Sequence, residues 1–61
     1  MMNTNLPKDP VMLLSVVNTK LRDYYPSLEE FVAAEGIEIQ ELESKLNAIN
    51  YFYDKNQNKF V

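Results

Sequence analysis

The fold is decided by the stretch Leu6-Pro-Lys-Asp-Pro-Val-Met-Leu-Leu-Ser-Val-Val-Asn-Thr-Lys-Leu-Arg-Asp-Tyr-Tyr25. Asp9 is a favourable N-cap, because its carboxylate can accept a hydrogen bond from a backbone N–H of the first turn. Pro10 suits the first helical position, where no N–H donor is required. Pro26 disfavours helical geometry at the preceding residue. The sequence therefore predicts one long helix from Pro10 to Asp23, and the rest of the chain is expected to cover its apolar side.

Successive residues of this helix lie 100° apart around its axis, which separates an apolar side from a polar side. The predicted core face consists of Leu13, Leu14, Val17, Leu21, Tyr24 and Tyr25. Met12 and Val16 break the division, because they fall on the polar side beside Thr19 and Asp23. Two interpretations are open: another segment of the chain folds over them, or they form an exposed apolar strip that contacts a partner.

Two shorter helices are predicted after Pro26. Ser27-Leu-Glu-Glu30 is a capping box, in which the Ser and Glu side chains bond to each other's backbone N–H groups. The helix that follows covers about residues 28–35 and ends at Gly36, which is free to adopt a positive φ. Its predicted core residues are Leu28, Phe31 and Val32. A third helix, over about residues 39–49, has an apolar stripe formed by Ile39, Leu42, Leu46 and Ile49.

The end of the chain changes character. Tyr51-Phe-Tyr-Asp54 and Asn58-Lys-Phe-Val61 are short β-prone runs around the turn-rich Lys55-Asn-Gln, which together predict a β-hairpin. The register is open: a loop of two or four residues would set Tyr51 opposite Phe60, whereas three or five would set Phe52 opposite Phe60. An isolated hairpin is marginal in water and must pack on the helices. We expect Tyr51, Tyr53 and Phe60 to face inward and Phe52 to be more exposed.

These elements predict a mainly α-helical fold: a compact three-helix domain closed by a short C-terminal β-hairpin, in an order like that of a winged helix. A chain of 61 residues is one domain. Residues 1–8 are expected to form a flexible arm and residues 9–61 the domain. The hydrophobic content of 46%, with four Tyr and three Phe, is sufficient for a core.

The chain resembles a known family over nearly its whole length from Leu6. The resemblance is carried by the first helix through Leu28 and by the ending Tyr51-Phe-Tyr-Asp followed by Asn58-Lys-Phe60. It points to a family of small bacterial proteins known only as domain of unknown function 4250. In that family a polar residue usually stands at the position of Phe52, which favours a hairpin that exposes it. The resemblance implies no activity, cofactor or partner.

The composition disfavours catalysis and metal binding. Cys and His are absent and there is a single Gly, which removes thiolate sites, the commonest metal ligand and a Gly-rich phosphate loop. Glu29 and Glu30 are adjacent and point in different directions. A fold of this size also has little room for a ligand cleft of a few hundred Å³, roughly the usual minimum. We expect no catalytic residue, no metal site, no cofactor and no small-molecule ligand.

The charge and hydropathy patterns bear on location. No apolar run approaches the ~20 residues that span a bilayer. The first five residues, Met-Met-Asn-Thr-Asn, lack the basic start and apolar middle of a signal peptide. We expect no membrane association and a cytoplasmic location.

The leading functional hypothesis is a non-enzymatic protein-interaction module, with self-association to a homodimer as one form of it. Its predicted partner surface is Met12, Val16, Thr19 and Asp23. The second hypothesis is a helix-turn-helix protein that binds nucleic acid through the third helix and the hairpin. Its predicted face is Gln40, Ser44, Asn47, Lys55 and Lys59. The net charge of −3 and the scattered lysines disfavour the second hypothesis, because phosphate binding requires clustered basic residues.

Overall fold

The computed structural model describes residues 6–61. Three helices are followed by a two-stranded antiparallel hairpin. Their bounds are α1 Pro10–Asp23, α2 Leu28–Glu35, α3 Ile39–Asn47, β1 Tyr53–Asp54 and β2 Lys59–Phe60. The predicted fold class is confirmed. Most of the predicted arm, residues 1–5, lies outside the described residues; within the described part, Leu6 packs against the core.

The start of α1 follows from its capping residues. Asp9 has an extended backbone and its carboxylate accepts a hydrogen bond from the backbone N–H of Met12 at 3.1 Å. Pro10 occupies the first turn, as predicted. The helix ends at Asp23, and the backbone N–H groups of Tyr24 and Tyr25 both donate to the carbonyl of Lys20.

The core is one cluster that every helix and β2 supply. Its buried members are Leu13, Val17, Leu21, Leu28, Phe31, Leu42, Leu46 and Phe60. Leu14 and Tyr25 are half-buried against it, but Tyr24 is 72% exposed, so its predicted place in the core is wrong. The physical reason is that Tyr24 is the C-cap with non-helical dihedral angles, and its side chain no longer follows the 100° progression of the helix.

The second helix has its predicted bounds. Ser27 Oγ accepts a hydrogen bond from the backbone N–H of Glu30 at 3.1 Å. The reciprocal bond of a capping box, from the Ser27 N–H to the Glu30 carboxylate, is not among the hydrogen bonds of residues 6–61. Gly36 ends the helix in the left-handed conformation with φ of 70°, which carries no Cβ penalty for glycine.

The third helix ends at Asn47, two residues before its predicted end. The N–H of Ile49 donates to the carbonyl of Leu46, and Asn50 then adopts a φ of 67°. The last turn is therefore tightened and the chain reversed by an asparagine in the left-handed region. Ile49 still packs, half-buried, against the core.

The hairpin register places Tyr53 opposite Phe60 and Asp54 opposite Lys59, around a four-residue turn. Tyr53 and Phe60 face inward and Phe52 is 54% exposed, as predicted. Tyr51 does not face Phe60, and it is 38% exposed, so its predicted inward position is wrong. Its backbone N–H donates to the carbonyl of Leu46, so Tyr51 belongs to the connection from α3 rather than to the strand.

The side chain of Asn18 in α1 forms hydrogen bonds with the backbone of β2. The Asn18 amide nitrogen donates to the carbonyl of Phe60 at 3.1 Å, and its amide oxygen accepts from the N–H of Phe60 at 2.8 Å. The carboxamide thus makes both bonds that a neighbouring strand would make. This closes the outer edge of β2, which would otherwise be open to pairing.

Asn58 joins the turn to two helices. Its amide nitrogen donates to the carbonyls of Leu21 and Tyr25 at 3.0 and 2.9 Å. Its amide oxygen accepts a 2.6 Å hydrogen bond from the hydroxyl of Tyr53, and that hydroxyl accepts one from the N–H of Leu28. Asn58 therefore bonds directly to backbone carbonyls at the end of α1, and it is linked through the Tyr53 hydroxyl to the first backbone N–H of α2.

We predict that Asn58→Asp destabilises the fold by about 2 kcal/mol, because a carboxylate cannot donate to the carbonyls of Leu21 and Tyr25. Asn58 has a φ of 56°, and Asp tolerates this left-handed backbone almost as well as Asn, so the loss is that of the hydrogen bonds. A chain of this size has a total stability of only about 3 to 9 kcal/mol. Denaturant unfolding at pH 7 measures the change.

The matched control is Asn56→Asp, the same chemical change in an exposed side chain of the same turn. Its cost should be a few tenths of a kcal/mol, about that of an exposed substitution. Equal destabilisation by both variants would show that the Asn58 bonds are not what holds the hairpin.

Candidate functional site

The predicted partner surface lies on the side of α1 that faces away from the core. The predicted residues are Met12, Val16, Thr19 and Asp23. The same side of α1 also carries Val11, Ser15 and Arg22, and we call the seven residues together the α1 outer face. Met12 is 59% and Val11 63% exposed, while Val16 is half-buried. The C-terminal segment does not fold over Met12, and most of the N-terminal arm, the other segment expected to cover it, lies outside the described residues.

One edge of the α1 outer face borders α2. Met12, Val16 and Lys20 follow at four-residue intervals and therefore lie in one row along the helix. The Lys20 ammonium is 3.9 Å from Glu35 of α2, and Glu35 also accepts a 2.7 Å hydrogen bond from the Tyr25 hydroxyl. This bond, with partial desolvation, raises the pKa of Tyr25. The row therefore begins with the exposed apolar side chain of Met12 and ends with the Lys20 ammonium, which contacts α2.

The C-terminal end of the α1 outer face carries an ion pair. Arg22 donates from Nε and Nη2 to the two carboxylate oxygens of Asp23, at 2.8 and 3.0 Å. These bonds lower the pKa of Asp23 and raise that of Arg22. Both groups are solvent-exposed, so the pair contributes little to stability. It presents a base and an acid together to any partner at this end.

A polar depression of about 780 Å³ separates the α1 outer face from the hairpin. Its exposed polar side chains are Ser15, Thr19, Arg22, Gln57 and Lys59. Arg22 and Lys59 supply two positive charges. Asp23 follows Arg22 in the sequence, and Asp54 lies opposite Lys59 in the hairpin, so the charges of the region are balanced. Residues 6–61 contain no group of three or more Asp or Glu side chains placed to hold a metal ion.

The structure separates the residues of the predicted nucleic-acid face. Gln40 and Ser44 share one depression with Glu41 and Lys45 of α3. Asn47 is exposed at the end of α3. Lys55 lines a different depression, between α3 and β1.

Lys59 lines the depression next to α1. The two hairpin lysines therefore do not share one depression. Helix α3 also carries Glu41 and Glu43, which add negative charge to the helix that would approach phosphate.

Sequence reasoning missed the hydrogen-bonding roles of Asn18 and Asn58 and the depression between α3 and β1. An asparagine in the middle of a helix is a weak signal of a tertiary hydrogen bond, because Asn competes with the helix for backbone groups. Asn58 stands at a turn position where positive φ is common for Asn. The depression has no local signal, since it depends on which strand lies next to α1.

Three helices closed by a two-stranded hairpin, tied together by two asparagine side chains, define a small helical domain with a C-terminal hairpin. The chain belongs to the family described as Domain of unknown function (DUF4250), which matches residues 7–60. The resemblance noted in the sequence is thereby confirmed. No curated protein and no solved structure matches the chain. Within residues 6–61, no helix combines the length and the apolar character needed to cross a membrane.

The turn beside the polar depression should make stability depend on pH. The Asp54 carboxylate accepts hydrogen bonds from the Gln57 amide and the backbone N–H of Asn56, each at 2.9 Å, and these bonds lower the pKa of Asp54. Because the pKa in the folded state is below that of the unfolded state, the turn contributes stability above about pH 4, and this is lost as the pH falls through the folded pKa.

We therefore expect wild-type protein to lose more stability than Asp54→Asn between about pH 6 and pH 2. Thermal unfolding over this range measures the difference. The lowered pKa of Asp23 contributes equally to the pH dependence of both proteins, so it does not affect the difference between their stabilities. Parallel stability curves would contradict the role assigned to the Asp54 carboxylate.

Proposed function

We propose that this chain is a non-enzymatic, cytoplasmic protein-interaction domain that binds its partner through the α1 outer face. The observation that carries the proposal is the exposure of Val11 and Met12, at 63% and 59%, on consecutive positions of the best-anchored helix. Single exposed apolar residues are common, but adjoining ones on a rigid element are typical of contact surfaces.

The rigidity of α1 supports the proposal. Leu13, Val17 and Leu21 are each at most 2% exposed, and Asn18 fixes the helix to β2. A partner that binds such a face loses little conformational entropy in ordering it.

The composition of the face supports a short helix-to-helix contact. Ser15 and Thr19 are small and exposed, so the backbone of a partner helix can approach closely between Met12 and the Arg22–Asp23 pair. A 14-residue helix is about 21 Å long. The contact is therefore small, of the kind found in transient complexes.

The titratable groups support a non-enzymatic role. The groups with shifted pKa values are Arg22, Asp23, Tyr25 and Asp54. In each case the largest cause is a hydrogen bond to a neighbouring side chain of this chain, as in an ordinary structural contact. Active sites instead shift pKa values by burial and close charges inside a cleft.

We predict that the double variant Val11→Ala/Met12→Ala weakens partner binding about tenfold, because two apolar contacts are removed. Alanine favours helix, so the unfolding midpoint should not fall. Sedimentation equilibrium measures binding to a second copy of the chain. Quantitative pull-down from native extract measures binding to other proteins.

The matched control is Phe52→Ala, which truncates an apolar side chain of similar exposure, 54%, on the hairpin. It should retain the same partners as wild type. Two results together would show that the α1 outer face is not the contact surface. In the first, wild type and the α1 double variant retain the same amount of partner protein; in the second, wild type is a monomer at millimolar concentration.

Nucleic-acid binding through Gln40, Ser44, Asn47, Lys55 and Lys59 is the second hypothesis, and fluorescence anisotropy with a random duplex separates it from the first. The interaction-domain proposal expects no micromolar binding at low salt, because the chain carries a net charge of −3. Micromolar binding with a steep salt slope, lost in Lys55→Ala/Lys59→Ala, would overturn the proposal in favour of the second hypothesis.

A further inference from the structure

The outer edge of β1 carries two backbone groups that have no hydrogen-bond partner among residues 6–61. Phe52 and Val61 exchange both of their backbone hydrogen bonds, at 3.0 and 2.9 Å. In an antiparallel ladder the next pair, Tyr53 with Phe60, is then a pair without mutual hydrogen bonds. Its N–H and C=O groups point away from the partner strand.

The two strands treat these outward groups differently. On β2, the groups of Phe60 are bonded to Asn18. On β1, the N–H and C=O of Tyr53 make no hydrogen bond to any of residues 6–61. The N–H and C=O groups at an open strand edge can pair with another strand, so these two are available to an external partner.

A depression that we call the groove lies beside β1 and includes Tyr53 in its lining. The connection that leads into β1 is bonded to α3, because the N–H of Tyr51 donates to the carbonyl of Leu46 at 3.0 Å. Farther along, Ile39 and Glu43 of α3 line a depression of about 360 Å³ together with Tyr53 and Lys55. Residues of α3 and residues of β1 and its turn therefore face each other across the groove.

The start of α2 completes the groove. Pro26, Leu28 and Ile39 supply an apolar part of its lining, and Glu29 and Glu43 supply two negative charges. Among the described residues, Lys55 is the base that lines it. The groove therefore combines unpaired strand groups, an apolar contact area and a net negative charge.

We propose that an extended, basic peptide segment of a partner protein binds in this groove as a third strand beside β1. Its backbone pairs with the N–H and C=O of Tyr53, as in strand addition to a sheet edge. An apolar side chain of the segment packs on Leu28 and Ile39, and a Lys or Arg side chain meets Glu29 and Glu43. This site uses none of the residues of the α1 outer face and goes beyond the proposed function.

The shape of the groove selects a single peptide segment rather than a second copy of the chain. The groove is bounded by α3 on the side opposite β1, so it accepts one strand with nothing attached beyond it. In a second copy, β1 is bonded to β2 on one side and flanked by α3 on the other. Two such edges cannot approach to the ~4.8 Å spacing of paired strands without moving both α3 helices.

The test uses a phage-displayed library of random octapeptides, selected against the full chain, and then the enriched sequences as synthetic acetylated and amidated peptides. We expect alternating apolar residues with one Lys or Arg. In amide NMR spectra of the labelled chain, these peptides should shift the resonances of Tyr53 and Lys55. Methylation of the central peptide nitrogens should abolish the shifts, because the bond to the Tyr53 carbonyl needs an N–H donor.

A charge variant tests the acidic wall. Glu29→Gln/Glu43→Gln should weaken peptide binding about fivefold through loss of two charge contacts, one to the exposed Glu29 and one to the half-buried Glu43. The matched control is Glu30→Gln/Glu41→Gln, which makes the same change on the same two helices outside this groove, and it should bind as wild type does.

Three results would overturn the proposal. One is a selection that enriches no peptide. A second is enriched peptides that shift Met12 and Thr19 instead of Tyr53, which would support the α1 outer face alone. The third is a shift of the Tyr53 amide with protein concentration in the absence of peptide, which would indicate that a second copy fills the groove. Failure of the α1 variants described above leaves each of these outcomes unaffected.

Discussion

The rest of this structure depends on the attachment of a very short hairpin to α1. Two strands of two residues each would not persist in water by themselves. Burial of Phe60, which is 1% exposed, contributes roughly 1.5 to 3 kcal/mol, and Asn18 satisfies both backbone groups of the same residue. Apolar burial and hydrogen bonding therefore act on the same residue, Phe60, and together they hold the hairpin on α1.

Local signals in the sequence were enough to place the three helices, and the structure shows why. Asp9, Ser27 and Gly36 act on backbone groups within a few residues of themselves, so their effects do not depend on the rest of the fold. The core stripe of α1 follows from helical geometry alone. The errors lie where the chain leaves regular structure: Tyr24 follows the last helical residue, and Tyr51 bonds to α3 instead of joining β1.

The candidate sites were less accessible to prediction than the helices. The sequence placed Met12 and Val16 on the polar side of α1 but could not decide their exposure, because that depends on where α2 and the hairpin lie. The groove at β1 depends on still more distant relations, since it exists only because β2 rather than β1 lies beside α1. Its residues come from three separate elements, and none of them is unusual in its own local context.

One side chain also has a consequence for how the molecule opens. Asn58 bonds to the last turn of α1 and to the Tyr53 hydroxyl, which in turn bonds to the first residue of α2. Detachment of the hairpin would therefore strip partners from both helices at once. Fluctuations that release the hairpin alone are suppressed, and amide exchange in all three places should proceed through a single cooperative opening instead of independent fraying.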